Sequence, residues 1–334
     1  MAGQRIVVIG ASSGGIEALR ELVGGLRPDF PAPICVVLHT SPDSPGLLGK
    51  ILGEAGVLPS TTAVSGMELE AGHIYVAPSD HHLLIETGGL LRLGRGPKEN
   101  RFRPAIDPLF RSAAQVYGPA AIGVVLTGNL DDGAAGLKTI KRFGGIAIVQ
   151  DPHDALYPAM PANALRHLAA DYVVPLSDMA RVLHEAASSP VGSVRDEADD
   201  AINMEVAIAG EDTSVDRRVQ HIGDPSIFTC PECHGVLLEL KERGILRFRC
   251  HTGHAYSADS LLGALNEGIE NALWSALRAV EEGQFLLERM AGHTSDADAR
   301  HAARLRTQLA RVTDQAELLR EIVGQRVALV PTEE

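Results

Sequence analysis

RIVVIGASSGGIEALR, residues 5–20, sets an apolar run against a glycine turn and then a helical pattern. Ile6, Val7, Val8 and Ile9 make the run, Gly10 to Gly15 make the turn, and Ile16, Leu19 and Leu22 recur at helical spacing. A strand, a turn and a helix in this order serve two chemistries. One holds a dinucleotide phosphate on the helix N-terminus. The other lifts a serine to the top of a sheet as a nucleophile. The first needs an acidic residue at the end of the second strand to hold the ribose hydroxyls. Here that strand ends Val36-Val37-Leu38 and the next residue is His39. The glycine spacing also departs from G-x-G-x-x-G, which disfavours the dinucleotide reading.

Working outward, short apolar runs alternate with helical patterns as far as about Ala187. Strands are expected at Ile6–Ile9, Ile34–Leu38, Ile74–Ala77, Ile122–Leu126, Ile146–Gln150 and Tyr172–Val174. They are rich in Val and Ile and mostly lack alternation, as parallel strands buried on both faces do. Helices are expected at Gly15–Gly24, Pro45–Glu54, Ile106–Tyr117, Gly133–Phe143 and Ser177–Ala187, with a hairpin across Thr87-Gly88-Gly89. The sum is an α/β domain with a doubly wound, mostly parallel sheet.

In such a sheet the loops after the strand ends converge on one rim. Ser12 follows the first strand, His39 the second, and Asp131 and Asp132 follow a later one. Taken singly, a serine after a strand reads as a helix N-cap, and an aspartate before glycine as a turn residue. Their shared placement is what a nucleophile, a base and an orienting acid require. His81 and His82 follow another strand end, where they could line the rim, but read more simply as structural.

Six blocks carry a resemblance: GASSGG at 10–15, LHTSPDSPG at 38–46, YVAPSDHHL at 75–83, NRFRPAIDPLFRSAA at 100–114, LTGNLDDGAAGL at 126–137 and VQDPHDALYPAMPANAL at 149–165. Together they resemble the catalytic domain of the chemotaxis protein-glutamate methylesterases over about residues 5–187. The resemblance implies Ser12 as nucleophile, His39 as general base and Asp132 as orienting acid, with no role for Asp131. It implies hydrolysis of glutamate γ-methyl esters on a methylated chemoreceptor-like protein, with glutamine deamidation as a secondary activity and no cofactor for catalysis. Ser13 N–H and the loop at Asn129 are the expected oxyanion donors; Arg101 and Arg103 read either as attractors of acidic substrate segments or as solvated arginines near a strand end. Many family members carry a receiver domain ahead of the esterase domain. Here the first strand begins almost at Met1, so control by phosphorylation within the chain is not expected. The alternatives are an esterase for a different substrate, or a signalling or binding module that works through its tail.

Charge and composition bound the partners. The 334 residues carry a net charge of −13, which argues against a nucleic-acid partner. No secretory leader is evident at the N-terminus, and no apolar run nears the roughly 20 residues of a spanning helix. Membrane insertion is therefore not expected, the chain is expected to be cytoplasmic, and its four cysteines to be thiols or metal ligands.

The organisation expected is a catalytic domain over 1–189, an acidic flexible linker over 190–225, a zinc-ribbon-like module over 226–258 and a helical hairpin over 259–328. Cys230 and Cys233 form a C-x-x-C knuckle, Cys250 lies across a short hairpin (Val236–Leu240 and Ile245–Arg249, turning at Arg243-Gly244), and His254 follows four residues on. Three thiolates and an imidazole at this spacing suit a closed, structural zinc site. His234 and His251 are the rival imidazoles, and Cys35 reads as a core residue. Gly292–Asp298 reads as the turn of the helical hairpin. Ala302, Leu305, Leu309, Val312, Ala316, Leu319 and Val323 form a heptad seam, expected to pack on Leu262, Leu265, Ile269 and Ala276. The hairpin is a candidate dock for a partner protein. The tail is expected to be separable, so that a chain ending near Ala187 still hydrolyses a small ester.

Overall fold

Every strand that the Val- and Ile-rich runs mark in the first half of the chain joins one sheet. In the computed structural model, which describes residues 4–192, 199–211, 222–241, 244–293 and 299–325, these strands are β1 (Ile6–Ala11), β2 (Ile34–Leu38), β4 (Ile74–Val76), β7 (Ala121–Val125), β8 (Ile146–Gln150) and β9 (Tyr172–Val174). A seventh, β3 (Ser60–Thr62), completes the order β3-β4-β2-β1-β7-β8-β9, and all pairings are parallel. Hairpin β5 (His82–Glu86) and β6 (Leu90–Gly94) stands apart as a two-stranded ribbon.

Alternate side chains of β1 go to opposite layers. Val7 and Ile9 join a core with α1 (Gly15–Gly24) and α6 (Leu176–Ser188). Ile6 and Val8 join a core with α3 (Ile106–Tyr117) and α4 (Ala134–Arg142). Such double burial explains the lack of alternation in these strands. From β1 the sheet grows one way through β2 and the other way through β7, so the strand order reverses at β1. The carboxyl ends of β1, β2 and β7 therefore lie side by side, where ligands bind in open α/β sheets.

Three features differ from the sequence expectation. Strand β3 is short, polar and at the sheet edge, so no apolar run marks it. Helices α2 (Leu48–Ala55) and α5 (Ala159–His167) also differ: α2 starts later than expected, and α5 follows a proline-interrupted stretch. The third is α7 (Asp200–Ala209), which lies inside the stretch expected to be a flexible linker. Asp199 caps it by accepting from the Ala201 and Ile202 N–H groups, and Ile202, Glu205, Ile208 and Ala209 are buried.

The cysteine-bearing module is a four-stranded antiparallel sheet of β10 (Gly223–Thr229), β11 (Val236–Leu240), β12 (Arg247–Cys250) and β13 (Ala255–Ser257). Of the expected turn, Arg243 lies outside the described residues, and the second strand starts at Arg247 rather than Ile245. The module is not set apart: residues 1–260 form one compact unit. Five buried charges tie it in. Arg249 of β12 pairs with Glu99 at 3.0 Å and with Glu205 of α7 at 3.2 Å. Arg247 pairs with Glu205 at 2.6 Å, and Arg111 of α3 pairs with both Glu99 and Glu205. Burial raises the cost of these carboxylates, but the guanidinium groups outweigh it and hold both below the usual carboxylate range.

Residues 261–334 form the second unit. It contains most of α8 (Ala258–His293) and all of α9 (Ala299–Gly324), joined by an ion pair from Arg320 to Glu281 at 2.7 Å. Along α9 the expected seam is the covered stripe, with Leu305 and Ala316 fully buried. On α8 the expected contacts are partly wrong. Leu265 and Ala276 are exposed, and the covered row runs through Leu262, Ile269, Leu273, Leu277, Val280 and Leu287. Gly292 and His293 close α8, and the rest of the expected turn, 294–298, lies outside the described residues. No described helix is long and apolar enough to cross a membrane.

The buried charge cluster generates a prediction. Glu205→Ala leaves Arg247 and Arg249 short of a counter-charge in the interior, a change that costs about 3–5 kcal/mol. Urea unfolding of the full chain should register that loss; a cost below about 1 kcal/mol would show the cluster to be solvent-screened.

Candidate functional site

The glycine turn after β1 brings Ser12 to the rim. Gly14 sits at φ +72°, a left-handed conformation that a side chain disfavours, and Gly15 then opens α1. Ser12 N–H donates to the Thr127 carbonyl at 3.0 Å, which fixes the turn against the loop after β7. Gly128 in that loop passes so close that a Cβ there would meet Met160 Sδ at 2.5 Å and Ser12 Cβ at 2.8 Å.

His39, directly after β2, bridges two groups. Its Nδ1 lies 3.1 Å from Ser12 Oγ and its Nε2 lies 2.7 Å from Asp132 Oδ2. A carboxylate can only accept, so the imidazole proton belongs on Nε2 and the Nδ1 lone pair faces the serine hydroxyl. The Phe102 ring stacks flat on the imidazole, 3.7 Å between centroids and 6° between planes. The histidine and aspartate side chains are each only 2% exposed, so their interaction is little screened by water.

Asp132 is held by more than His39. It accepts from Asn100 Nδ2 at 2.9 Å and from the N–H groups of Ile106 at 2.7 Å, Asp107 at 3.3 Å and Gly133 at 2.9 Å. Burial works against its charge, but the bond and charge of His39 and the Ile106 and Asn100 donors outweigh it, so its pKa falls below the usual carboxylate range. Two neighbours go the other way. Burial, and next the charge of Asp132, push Asp107 up to about 7. Burial likewise pushes Asp131 up to about 7, although Ser257 Oγ donates to it at 2.6 Å. Sequence reasoning singled out neither Asn100, Phe102 nor Asp107. Asn100 and Phe102 sit in a loop with no periodicity, and Asp107 reads as a first-turn helix residue.

Ser12 and His39 open into a cleft of about 420 Å³, lined also by Ser13, Thr40, Asp80, Lys98, Arg101 and Arg103. Ser13 and Asn129 meet at its edge, where Asn129 Nδ2 donates to Ser13 Oγ at 3.1 Å. Arg101 faces the cleft, whereas Arg103 commits its guanidinium to Asp80 at 2.8 Å and to the Gly96 carbonyl at 2.9 Å. His82 is buried, with Nε2 donating to the Pro97 carbonyl and Nδ1 accepting from Ala105 N–H, and His81 bonds the Ser79 carbonyl. Cys35 is buried in the α3–α4 layer.

Cys230, Cys233, Cys250 and His254 converge, their ligand atoms all within 4.8 Å of one another. Cys233 Sγ lies 3.5 Å from Cys250 Sγ, and His254 Nδ1 lies 3.5 Å from Cys250 Sγ and 3.8 Å from Cys230 Sγ. A tetrahedral zinc at about 2.3 Å from sulfur and about 2.0–2.1 Å from nitrogen separates its ligand atoms by about 3.5–3.8 Å. The four residues thus fit that ion. Thr252 Oγ1 donates to Cys233 Sγ at 3.5 Å and Tyr256 Oη lies 3.7 Å from Cys230 Sγ, the outer contacts such a centre uses. His234 and His251 are not in the group.

Residues 7–183 match the family model described as CheB methylesterase. A Leptospira interrogans relative, provisionally named a protein-glutamate methylesterase/protein-glutamine glutaminase, is 40% identical over 176 residues, 53% of this chain and 91% of the relative. An Anaeromyxobacter dehalogenans protein-glutamate methylesterase/protein-glutamine glutaminase is 42% identical over 180 residues, 54% of this chain but 52% of the relative. The crystal structure of the Thermotoga maritima CheB methylesterase catalytic domain superposes with a TM-score of 0.53 at 35% identity, covering 55% of this chain and 98% of that one. The matched residues 7–183 end before α7 and the cysteine module begin.

The displaced carboxyls set a pH dependence. A carboxyl whose pKa is raised on folding from 3.8 to about 7 binds its proton in the folded state while the unfolded chain has released it. Its contribution is intact below about pH 4 and is lost as pH rises towards 7, by up to about 4 kcal/mol. Asp131→Asn removes that loss. The variant should gain stability relative to the parent between pH 5 and pH 8 in denaturant titrations, and an equal offset at both pH values would contradict the raised pKa.

Proposed function

The chain belongs to the CheB methylesterase family, and from that premise we propose that it hydrolyses glutamate γ-methyl esters on a chemoreceptor-like protein through Ser12, His39 and Asp132. The observation that carries the roles is the His39 bridge, 3.1 Å to the Ser12 hydroxyl and 2.7 Å to the Asp132 carboxylate. Ser12 Oγ attacks the ester carbonyl as Nδ1 of His39 takes its proton. Asp132 keeps the Nε2 proton in place and stabilises the imidazolium that forms. The oxyanion falls to the Ser13 N–H, two residues ahead of α1, and to the Asn129 amide, with the helix N-terminus adding a favourable dipole. Methanol leaves with the proton from Nδ1, and water, activated by the same nitrogen, cleaves the glutamyl-serine ester. A glutamine amide passes through a similar intermediate with a poorer leaving group, so deamidation is the slower activity. Arg101 in the cleft wall sets a positive charge against the net negative charge of the chain where an acidic substrate segment would enter.

We also infer a structural zinc ion on Cys230, Cys233, Cys250 and His254. What supports it is the match of the ligand spacings to a tetrahedral site. With four protein ligands the site is closed and structural, with no open position at which substrate or water could bind.

Methanol release from a methylated chemoreceptor tests the first reading. Ser12→Ala should lower it by at least about 1,000-fold, and adding His39→Ala or Asp132→Asn should not multiply the loss. Activity within a few-fold of the parent in Ser12→Ala would remove the nucleophile assignment. Elemental analysis should find one zinc per chain, lost in Cys230→Ser; its absence from protein purified without chelator would count against the metal.

A further inference from the structure

The edge strand of the cysteine module continues directly onto the loop that supports Asp132. Ala255 of β13 donates from its N–H to the Lys98 carbonyl at 3.2 Å, and Asn100 N–H donates to the Ala255 carbonyl at 2.8 Å. One residue earlier lies His254, and β12 ends at Cys250, so β12 and β13 are joined by a turn with a ligand at each end. Cys250 N–H donates to the His254 carbonyl at 2.9 Å across that turn.

The side chain of Asn100 has no group left unused. Its Nδ2 donates to Asp132 Oδ1 at 2.9 Å and to Asp107 Oδ2 at 3.0 Å. Its Oδ1 accepts from Ser257 N–H at 2.9 Å and from Ser260 Oγ at 3.1 Å. A backbone N–H can only donate, so Ser257 compels the amide oxygen to face β13 and the amide NH2 to face the carboxylates. Reversed, the amide would aim its oxygen at two carboxyl groups. Asn100 also stands at φ +49°, a conformation that needs its surroundings to hold it. Two residues on, Phe102 stacks on His39, and one residue before, Glu99 is gripped by Arg249 of β12. The loop that steadies both His39 and Asp132 is thus fastened to the module at Lys98, Glu99 and Asn100.

We propose that the Cys230–Cys233–Cys250–His254 centre is an architectural part of the hydrolytic site: a tetrahedral, thiolate-preferring divalent cation bound there fixes the β12–β13 turn, and β13 holds Asn100 as the positioning residue for Asp132. The inference rests on the reading of Ser12, His39 and Asp132 given above. It reverses the sequence expectation that a chain ending near Ala187 keeps hydrolysis of a small ester, because that chain lacks Ser257, Ser260 and Arg249.

The test uses the full chain, zinc as the metal and a small methyl ester as substrate. Asn100→Ala should keep one zinc and the parent's unfolding midpoint to within a few degrees. Its kcat should fall by about 100-fold, the cost of a misplaced catalytic group, with KM within about three-fold. The acid limb of its kcat/KM profile should move to higher pH, because Asp132 stripped of a donor favours the imidazolium more strongly. Asn100→Asp, which sets a third carboxyl against two others, should be slower still. Removing zinc from the parent should abolish hydrogen-exchange protection at the amides of Asn100 and Ser257 and lower kcat similarly, both restored by added zinc. Zinc-free protein that keeps this protection, or Asn100→Ala with unchanged kcat and pH profile, would overturn the proposal. The exchange readout is independent of the function reading: an active Ser12→Ala would sink that reading while the exchange data still judged the coupling.

Discussion

A single buried carboxylate, that of Asp132, organises the rim of this sheet. It accepts from His39, from the Asn100 amide and from three backbone N–H groups at Ile106, Asp107 and Gly133. An ionised carboxylate without such donors would be costly at this depth, and the residues nearby show it: Asp131 and Asp107 are both pushed up to about 7 by burial. The donors come from the start of α3, the start of α4 and the loop before α3. Hence the geometry of His39 depends on elements remote from one another in sequence. In the hydrolytic reading this differential treatment of three neighbouring aspartates makes Asp132 the most firmly ionised partner of the imidazole.

The same economy governs how the second half of the chain joins the first. Part of the cysteine module's contact with α7 is apolar, Ile222 and Leu238 packing on Ile208. Its attachment also runs through Arg247 and Arg249, shared between Glu99 and Glu205, and through the β13 backbone paired with Lys98 and Asn100. Buried ion clusters of this kind add little net stability over apolar packing, but removing one partner is costly.

Much of the rim was legible because each of Ser12 and His39 follows a Val- or Ile-rich strand at once, and because the parallel topology then dictates which ends meet. The convergence of Cys230, Cys233, Cys250 and His254 was legible from their spacing. What was not legible has physical causes. Strand β3, Ser60-Thr61-Thr62, is a polar edge with no pattern to read. Helix α7 hides among acidic residues because one of its core-facing side chains is Glu205, which only the distant Arg111, Arg247 and Arg249 make a plausible interior residue. Asn100 gains its fixed amide orientation from Ser257, 157 residues away, and no local signal announces such a pair. For the same reason the cysteine module read as a detachable tail, when its sheet edge lies against the loop behind the site.

Covalent labelling tests the central claim, that Ser12 is a nucleophile made reactive by His39. The protein, treated with a fluorophosphonate and digested with trypsin, should carry one adduct, on the peptide Ile6–Arg20 at Ser12, and His39→Ala should fail to acquire it. An adduct on a different residue, or equal labelling of Ser12 in parent and His39→Ala, would contradict the account.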